Sequence, residues 1–310
     1  MSDWTTDSQP QLLRISSITS TVPDMIAAQN CYRELLNYRL VESGFIDKAL
    51  AARWNTPAAC GAAFCTLVPQ NEDNVFIRLI EGPSVMGYRP LTSFGWAAFE
   101  IIVDDVYHLA DRLSKSPFRH LAGPAPLQFM PSIVAMQVEG LGGECLYFTM
   151  ETGDRNKSIL PQPSGFVGRP FIVVAAGGEF DPMLRWYVDN FQLRERPVRQ
   201  SKVAILQQAQ GLGADHEIFL SAIGMAQHGN LIELDEYPTG LDFIAGPRSR
   251  ADGHLPPGNA IVSFEVDDLE PYIKLADGPV NISKGVCYGG RRSLVLTGMA
   301  GELIELIESV

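Results

Sequence analysis

The run Ala98-Phe99-Glu100-Ile101-Ile102-Val103-Asp104-Asp105 decides the fold, because the chain repeats its pattern at Ser263-Phe264-Glu265-Val266-Asp267-Asp268. Each run is an apolar strand that leads through aspartates into a short helix. Looser copies open at Ser17-Ile18-Thr19-Ser20-Thr21-Val22-Pro23-Asp24 and at Phe171-Ile172-Val173-Val174, the latter leading to Phe180-Asp181. Each copy closes on a short apolar strand: Val75-Phe76-Ile77-Arg78-Leu79, Glu144-Cys145-Leu146-Tyr147-Phe148, Asn230-Leu231-Ile232-Glu233-Leu234 and Glu302-Leu303-Ile304-Glu305-Leu306. A pattern repeated at this scale sets the architecture before any single residue sets the chemistry.

Between opening and closing, the periodicity changes twice. Met25, Ala28, Cys31, Tyr32, Leu35 and Leu36 recur at three and four residues and make one helical face, with Asp24 placed as its N-cap. In the third copy Asp181 takes the cap position and Pro182 the first helical position, followed by the stripe Met183, Trp186, Tyr187 and Phe191. Copies two and four carry shorter helical patterns, around Val106-Leu109-Leu113 and Leu269-Tyr272-Leu275, each led by a pair of aspartates that suits the helix dipole. The period then becomes two. Ser132–Val138 with Cys145–Phe148, and Ser293–Thr297 with Leu303–Leu306, read as one hairpin written twice. Each unit is therefore βαβββ.

Residues 152–168 have no hydrophobic period and are punctuated by Gly and Pro, so they read as a linker. The expected organisation is a first domain over 11–151 and a second over 169–310, each holding two consecutive modules.

At 310 residues, 46% hydrophobic and 19% charged, the chain can bury a sizeable core. Its net charge of −12 has no basic block to offset it beyond Arg291-Arg292 and Arg194, Arg196 and Arg199, which excludes nucleic acid as a partner. No apolar run approaches the roughly 20 residues of a membrane helix, so no membrane partner is expected. Met1–Gln9 carries two Asp and no Lys or Arg, unlike a secretory signal or presequence, and a cytoplasmic location is the expectation. The five cysteines are scattered with no CxxC, as befits small buried hydrophobes in a reducing compartment.

The order of strand and Asp-capped helix, with the stretches Cys31-Tyr32-Arg33-Glu34-Leu35-Leu36-Asn37-Tyr38-Arg39-Leu40-Val41-Glu42, Phe264-Glu265-Val266-Asp267-Asp268-Leu269 and Gly301-Glu302-Leu303-Ile304-Glu305-Leu306, resembles the vicinal oxygen chelate superfamily. That superfamily includes glyoxalase I, extradiol dioxygenases and the bleomycin- and fosfomycin-resistance proteins. The resemblance implies an α+β fold, four βαβββ modules paired into two cupped mixed sheets. It also implies a cavity in each cup, with a divalent metal held by His or Gln from opening strands and Glu from closing strands. Here the opening positions fall on Ser17, the residue between Trp96 and Ala98, one near Val174, and Ile261, with no metal-ligating side chain among them. The closing positions hold Arg78, Tyr147, Glu233 and Glu305. His108, His120, His216, His228 and His254 lie in helix, loop and strand-flank settings that do not rebuild a ligand set. No tightly bound metal and no other cofactor is expected; a weakly held, mostly hydrated cation on Glu233 and Glu305 stays open.

On this mapping Glu233 and Glu305 face each other in the second cup, where mutual repulsion raises one pKa towards neutrality and suits the pair to proton transfer beside a carbonyl. The first cup presents Arg78, Trp96, Tyr147 and Ser17 as substrate-binding groups, with Arg78 meeting Glu81, Glu100 or a ligand carboxylate. The expected function is enzymatic isomerisation, epimerisation or elimination of a small, largely apolar organic molecule. Two alternatives stand beside it: a non-catalytic small-molecule binder of the resistance type, and a metal-dependent dioxygenase- or glyoxalase-like enzyme whose ligands sit in another register. The modules could complete each other within one chain or across a homodimer.

Overall fold

The computed structural model describes residues 11–72, 74–194, 196–240 and 245–310; Met1–Gln9, read above for the lack of a signal, lies outside them. Module one comprises β1 (Arg14–Val22), α1 (Met25–Leu36), β2 (Tyr38–Phe45), a short α2 (Lys48–Arg53), β3 (Ala63–Pro69) and β4 (Phe76–Glu81). Module two has β5 (Gly95–Val103), α3 (Val106–Leu113), β6 (Arg119–Leu127), β7 (Met130–Glu139) and β8 (Cys145–Glu151). Module three has β9 (Val167–Gly177), α4 (Phe180–Phe191), β10 (Arg199–Ser201), α5 (Ala204–Gln210), β11 (Ile218–Gly224) and β12 (Leu231–Glu236). Module four has β13 (Gly258–Val266), a 3₁₀ turn (Glu270–Leu275), β14 (Asn281–Ile282), β15 (Arg292–Thr297) and β16 (Leu303–Glu308).

The aspartate caps act as the sequence indicates in modules one and two. Asp24 Oδ1 accepts from the Ala27 amide at 2.9 Å, and Asp105 accepts from the amides of Tyr107 and His108. In module three the helix begins at Phe180, so Asp181 lies in its first turn and Glu179 occupies the cap without a side-chain bond. The strand ends at Gly177, which lets the helix start earlier than the apolar stripe suggests. In module four the expected α-helix is a six-residue 3₁₀ turn that buries Leu269 and Tyr272 but leaves Leu275 exposed.

Strand order is β14-β15-β16-β13-β1-β4-β3-β2 in one sheet and β10-β11-β12-β9-β5-β8-β7-β6 in the other. Module one therefore pairs with module four, and module two with module three. The expected pairing of consecutive modules within 11–151 and 169–310 is corrected on this point. Residues 152–168 do not separate two sheets; they return the chain from β8 to β9 on the far side of β5, inside one sheet. The pairings run antiparallel through the opening strands. β1 and β13 are joined by the Ser17 hydroxyl donating to Ser263 Oγ at 2.8 Å, and β5 lies against β9 with Phe99 opposite Val173. The sheet of modules one and four is called the outer cup below, and that of modules two and three the inner cup.

The two sheets share one core. Ile18, Ile77, Phe264 and Ile304 from the outer cup's convex face cluster with Phe99, Phe148, Val173 and Ile232 from the inner cup's, together with buried faces of α1, α3 and α4. Helices also tie the sheets by hydrogen bonds: Tyr32 on α1 donates to Glu144 of module two at 3.2 Å, and Tyr187 on α4 donates to Glu302 of module four at 2.6 Å. Each concave face has its own smaller cluster, around Trp54, Ile80, Ile261 and Leu303 in the outer cup and around Ile102, Tyr147, Ile172 and Leu231 in the inner one. Cys65, Cys145 and Cys287 are buried, and burial pushes their thiol pKa values up, as expected of small hydrophobes. Among the described residues no helix is long and apolar enough to cross a membrane.

Because every sheet draws strands from both sides of residues 152–168, neither 11–151 nor 169–310 should fold alone. Expressed separately, each half should lack cooperative thermal unfolding, since β1 and β5, or β9 and β13, lose their partners and become open edges. Mixing the halves should restore a cooperative transition. A cooperatively folded monomer of residues 11–151 would contradict the pairing.

Candidate functional site

Residues that pair across neighbouring strands lie on the same face, so the ladders show which side chains share each cup. In the outer cup Thr19 pairs with Arg78, Ser17 with Ser263, and Ser263 with Glu305. In the inner cup Glu100 pairs with Tyr147 and with Ile172, and Val174 with Glu233. The opening-strand positions in register with the four closing residues are thus Thr19, Glu100, Val174 and Ser263. The expected set (Ser17, the residue before Ala98, one near Val174, and Ile261) is displaced on two or more strands. β-bulges between Ile15 and Ser17, Thr19 and Ser20, and Trp96 and Ala98 move the register in ways that alternation alone does not reveal. Among these in-register positions one, Glu100 on β5, is a carboxylate.

The outer cup is filled by its own chain. Arg53 from α2 and Tyr288 from the segment before β15 enter the concave face and meet Arg78 and Glu305, all at most 2% exposed. Arg78 donates from Nε to Thr19 Oγ1 at 3.0 Å and from Nη1 to the Tyr288 hydroxyl at 2.8 Å, and its Nη2 lies 3.7 Å from Glu305. Arg53 Nη2 lies 3.3 Å from the same carboxylate, while its Nη1 donates to Ser283 and Ser293. Glu305 also accepts from Trp54 Nε1 at 3.1 Å, from Ser263 Oγ at 2.7 Å and from Tyr288. Burial alone would raise the Glu305 pKa; Arg53 and Arg78 beside it, with the Ser263 and Trp54 hydrogen bonds, hold it below the usual range. The guanidiniums stack on aromatic faces, Arg78 at 4.7 Å from the Trp54 ring centroid and Arg53 at 4.8 Å from Tyr288.

The inner cup is organised differently. Glu100 and Glu233 are each surrounded by protein yet keep contact with solvent, as side chains lining a concavity do. Burial pushes the Glu100 carboxyl up to about 8, helped by the charge of Glu233 and opposed by a hydrogen bond from Thr149 Oγ1 at 2.9 Å. Burial pushes Glu233 up to about 7. Asp235, 4% exposed, is raised well above its ordinary value by burial and then by Glu233 and Glu100. Tyr147 is 9% exposed, and burial first, then the neighbouring Cys145, Tyr237, Asp235 and Glu233, keep its hydroxyl protonated.

Of the sequence-derived candidates, the structure brings Ser17, Arg78 and Glu305 together in the outer cup and Tyr147 and Glu233 together in the inner one. Glu233 and Glu305 do not face each other, because their modules belong to different sheets. Arg78 meets Glu305, not Glu81, Glu100 or an open cavity. Trp96 lies at the seam between sheets, where its Nε1 donates to the Leu303 carbonyl at 2.7 Å. Sequence reasoning missed Glu100 as a site residue, and missed Arg53 and Tyr288 altogether. Glu100 had a signal: it is the one charged residue in the apolar run Ala97–Val103, where a charge needs a partner or a purpose.

The superfamily resemblance implies a divalent metal, and the residues do not fit one. In the outer cup the Arg78 guanidinium already stands beside the one carboxylate at the closing positions. In the inner cup Glu100, Glu233 and Asp235 lie along one face with a protonated phenol, yet no group of three His, Cys, Asp or Glu among the described residues is placed to hold a metal ion. Two adjoining cavities of about 340 and 430 Å³ lie at the seam and share Phe94, Pro247, Ala300 and Gly301. On their walls Arg248 is committed to Ser93, Asn259 and Trp96, and Glu302 to Tyr187.

No protein-family model and no curated protein sequence matches the chain. Solved structures do. Glyoxalase I from Zea mays is 14% identical over 95% of this chain and 92% of its own, with a TM-score of 0.62. A Bacillus subtilis protein described as a candidate dioxygenase is 12% identical over 96% of this chain and 86% of its own, with a TM-score of 0.64. Likeness at such identity speaks for the fold alone. The chain is a four-module, two-cup protein with the fold of glyoxalase I and the vicinal oxygen chelate superfamily.

Proposed function

We propose that the inner cup binds a small, largely apolar organic molecule and that Glu100 and Glu233 move a proton on it, in an isomerisation, epimerisation or elimination. The observation that carries this reading is the facing carboxyl pair with pKa values of about 8 and about 7, in a concave face that keeps contact with solvent. A base works best when its pKa lies near the working pH, and carboxyls reach that range by burial and like-charge neighbours. Near neutrality one member of the pair carries a proton and the other does not. The ionised carboxylate removes a proton from the carbon next to a carbonyl, and the Tyr147 hydroxyl donates to the oxygen that gains charge. The protonated carboxyl returns a proton at the other face, at the other carbon, or, in elimination, to the group that departs as its bond to the β-carbon breaks. Atoms balance with no cofactor. The outer cup cannot do this, because its carboxylate is ionised and bound by two guanidiniums.

Incubation of a panel of small apolar ketones with the protein in deuterated water should reveal catalysed exchange at the α-carbon by NMR, and the exchange should survive a strong chelator. Glu100→Gln and Glu233→Gln should each lower the rate by roughly 10²–10⁴ while changing ligand affinity far less. Exchange that is unaffected by both substitutions would refute proton transfer by this pair. Binding without any exchange would favour the sequestering alternative.

The same pair sets a pH dependence of stability. Both carboxyls have folded-state pKa values above their ordinary value near 4.5, so the folded protein holds more protons than the unfolded chain between about pH 5 and 8. Stability must then fall as pH rises through that window. Glu144, pushed up to about 7 by burial, contributes in the same direction. The Glu100→Gln and Glu233→Gln variants should lose less Tm than the wild type between pH 5.5 and 8, by a few degrees, since solvent in the cup screens part of the effect. Variants with the wild-type slope would show that the two groups titrate as ordinary carboxyls.

A further inference from the structure

The inner cup is rich in hydrogen-bond acceptors, and among the described residues no cation pairs with its carboxyls. Beyond Glu100 and Glu233, β12 continues on the same face to Asp235, whose Oδ1 is buried without a hydrogen-bond partner. Tyr237 follows, fully buried, and its hydroxyl is likewise unpartnered. Among the described residues no Lys, Arg or His forms an ion pair with Glu100, Glu233 or Asp235. Arg248 is near enough to act on Tyr237, yet its guanidinium is spent on Ser93, Asn259 and Trp96. The contrast with the outer cup is direct: there one carboxylate has two guanidiniums, and here three carboxyls have none.

Buried acceptors without donors cost free energy unless a ligand satisfies them. Protons meet part of that need at Glu100 and Glu233, but a ligand with several N–H donors and a positive charge meets all of it. An alkyl- or arylammonium has three donors on one compact charge. Around the carboxyls the cup is apolar: Leu121, Leu127 and Met130 from β6 and β7 and Val203 beside α5 pack, part-buried, against its cluster. A hard divalent cation would instead need some six oxygen ligands in regular geometry.

We infer that the molecule taken by the inner cup carries a protonated nitrogen on a small apolar body, with the nitrogen directed to Asp235 and its charge held in the field of the Glu100–Glu233 pair. The inference rests on the reading that the inner cup is the ligand site. The groups facing the nitrogen are Glu100 on β5, Cys145 and Tyr147 on β8, Glu233 and Asp235 on β12, and Tyr237 just beyond its end. On β9 Arg169 is held by Glu72 and by the Pro170 and Gly229 carbonyls. On β10 Arg199 lies in register with Asp235 through Leu220, with its guanidinium over the Phe129 ring; α5 contributes no titratable side chain. On β6, Arg119 is paired with Glu139 and His120 with the Gly123 carbonyl. The ammonium therefore competes with protons for the carboxyl pair, and its affinity should rise as pH increases.

Calorimetric titration of the full chain with benzylamine and with its neutral isostere benzyl alcohol, at pH 6 and pH 8, tests this. At pH 8 benzylamine should bind about ten-fold or more tightly than benzyl alcohol, and the advantage should shrink at pH 6. Glu233→Gln and Asp235→Asn should each remove most of that advantage, lowering benzylamine affinity far more than benzyl alcohol affinity. Ala222→Phe, which fills the cup opposite Glu233, should abolish both. Equal or tighter binding of benzyl alcohol, still abolished by Ala222→Phe, would overturn the ammonium inference and leave the cup as the ligand site. Binding of neither probe, or binding indifferent to Ala222→Phe, would overturn both. Displacement of benzylamine by magnesium or calcium chloride at stoichiometric amounts would also overturn the inference, by assigning the acceptors to a metal.

Discussion

A carboxyl group on the concave face of a sheet must find a cation or keep its proton, and the molecule's two cups answer that constraint in opposite ways. In the outer cup Glu305 lies between Arg53 and Arg78, with Trp54, Tyr288 and Ser263 completing its hydrogen bonds. In the inner cup Glu100 and Glu233 form no ion pair among the described residues, and burial pushes their pKa values up towards neutrality. Removing one partner of a buried ion pair costs about 3–5 kcal/mol because the other charge is left bare. The outer arrangement is thus a structural knot, closed by α2 and by the segment around Tyr288. The inner arrangement leaves two carboxyls in contact with solvent, which is what the proposed chemistry needs.

The division follows from connectivity. Because module one pairs with module four, the insertions that fill the outer cup come from opposite ends of the chain, Arg53 from module one and Tyr288 from module four. The inner cup has α5 on one side and the β6–β7 hairpin on the other, and among the described residues no guanidinium from either pairs with its carboxyls. Cross-sheet bonds then fix the two halves together: Tyr32 to Glu144, Tyr187 to Glu302, and Trp96 to the Leu303 carbonyl.

Repetition made the modules legible from residues alone, because the Asp-capped helices and the paired hairpins at 132–148 and 293–306 are local signals. Which modules share a sheet is not local. A Gly- and Pro-rich segment such as 152–168 looks the same whether it joins two sheets or turns the chain within one. The register of the opening strands was hidden by bulges in β1 and β5, and so Glu100 was read past although it is the only charge in its strand. Arg53 and Tyr288 gave no signal, since each acts through tertiary contacts made by irregular insertions. Glu233 and Tyr147 were legible because short closing strands without bulges keep their alternation.

The central claim is that the inner-cup carboxyls titrate near neutrality. Carbon-13 NMR of protein labelled at glutamate side-chain carboxyls, followed from pH 4 to 9, measures this directly. The account predicts that two resonances, missing one at a time from Glu100→Gln and Glu233→Gln, titrate between about pH 6.5 and 8.5. If both resonances complete their titration below pH 5.5, the pair is ordinary and the proposed chemistry has no base.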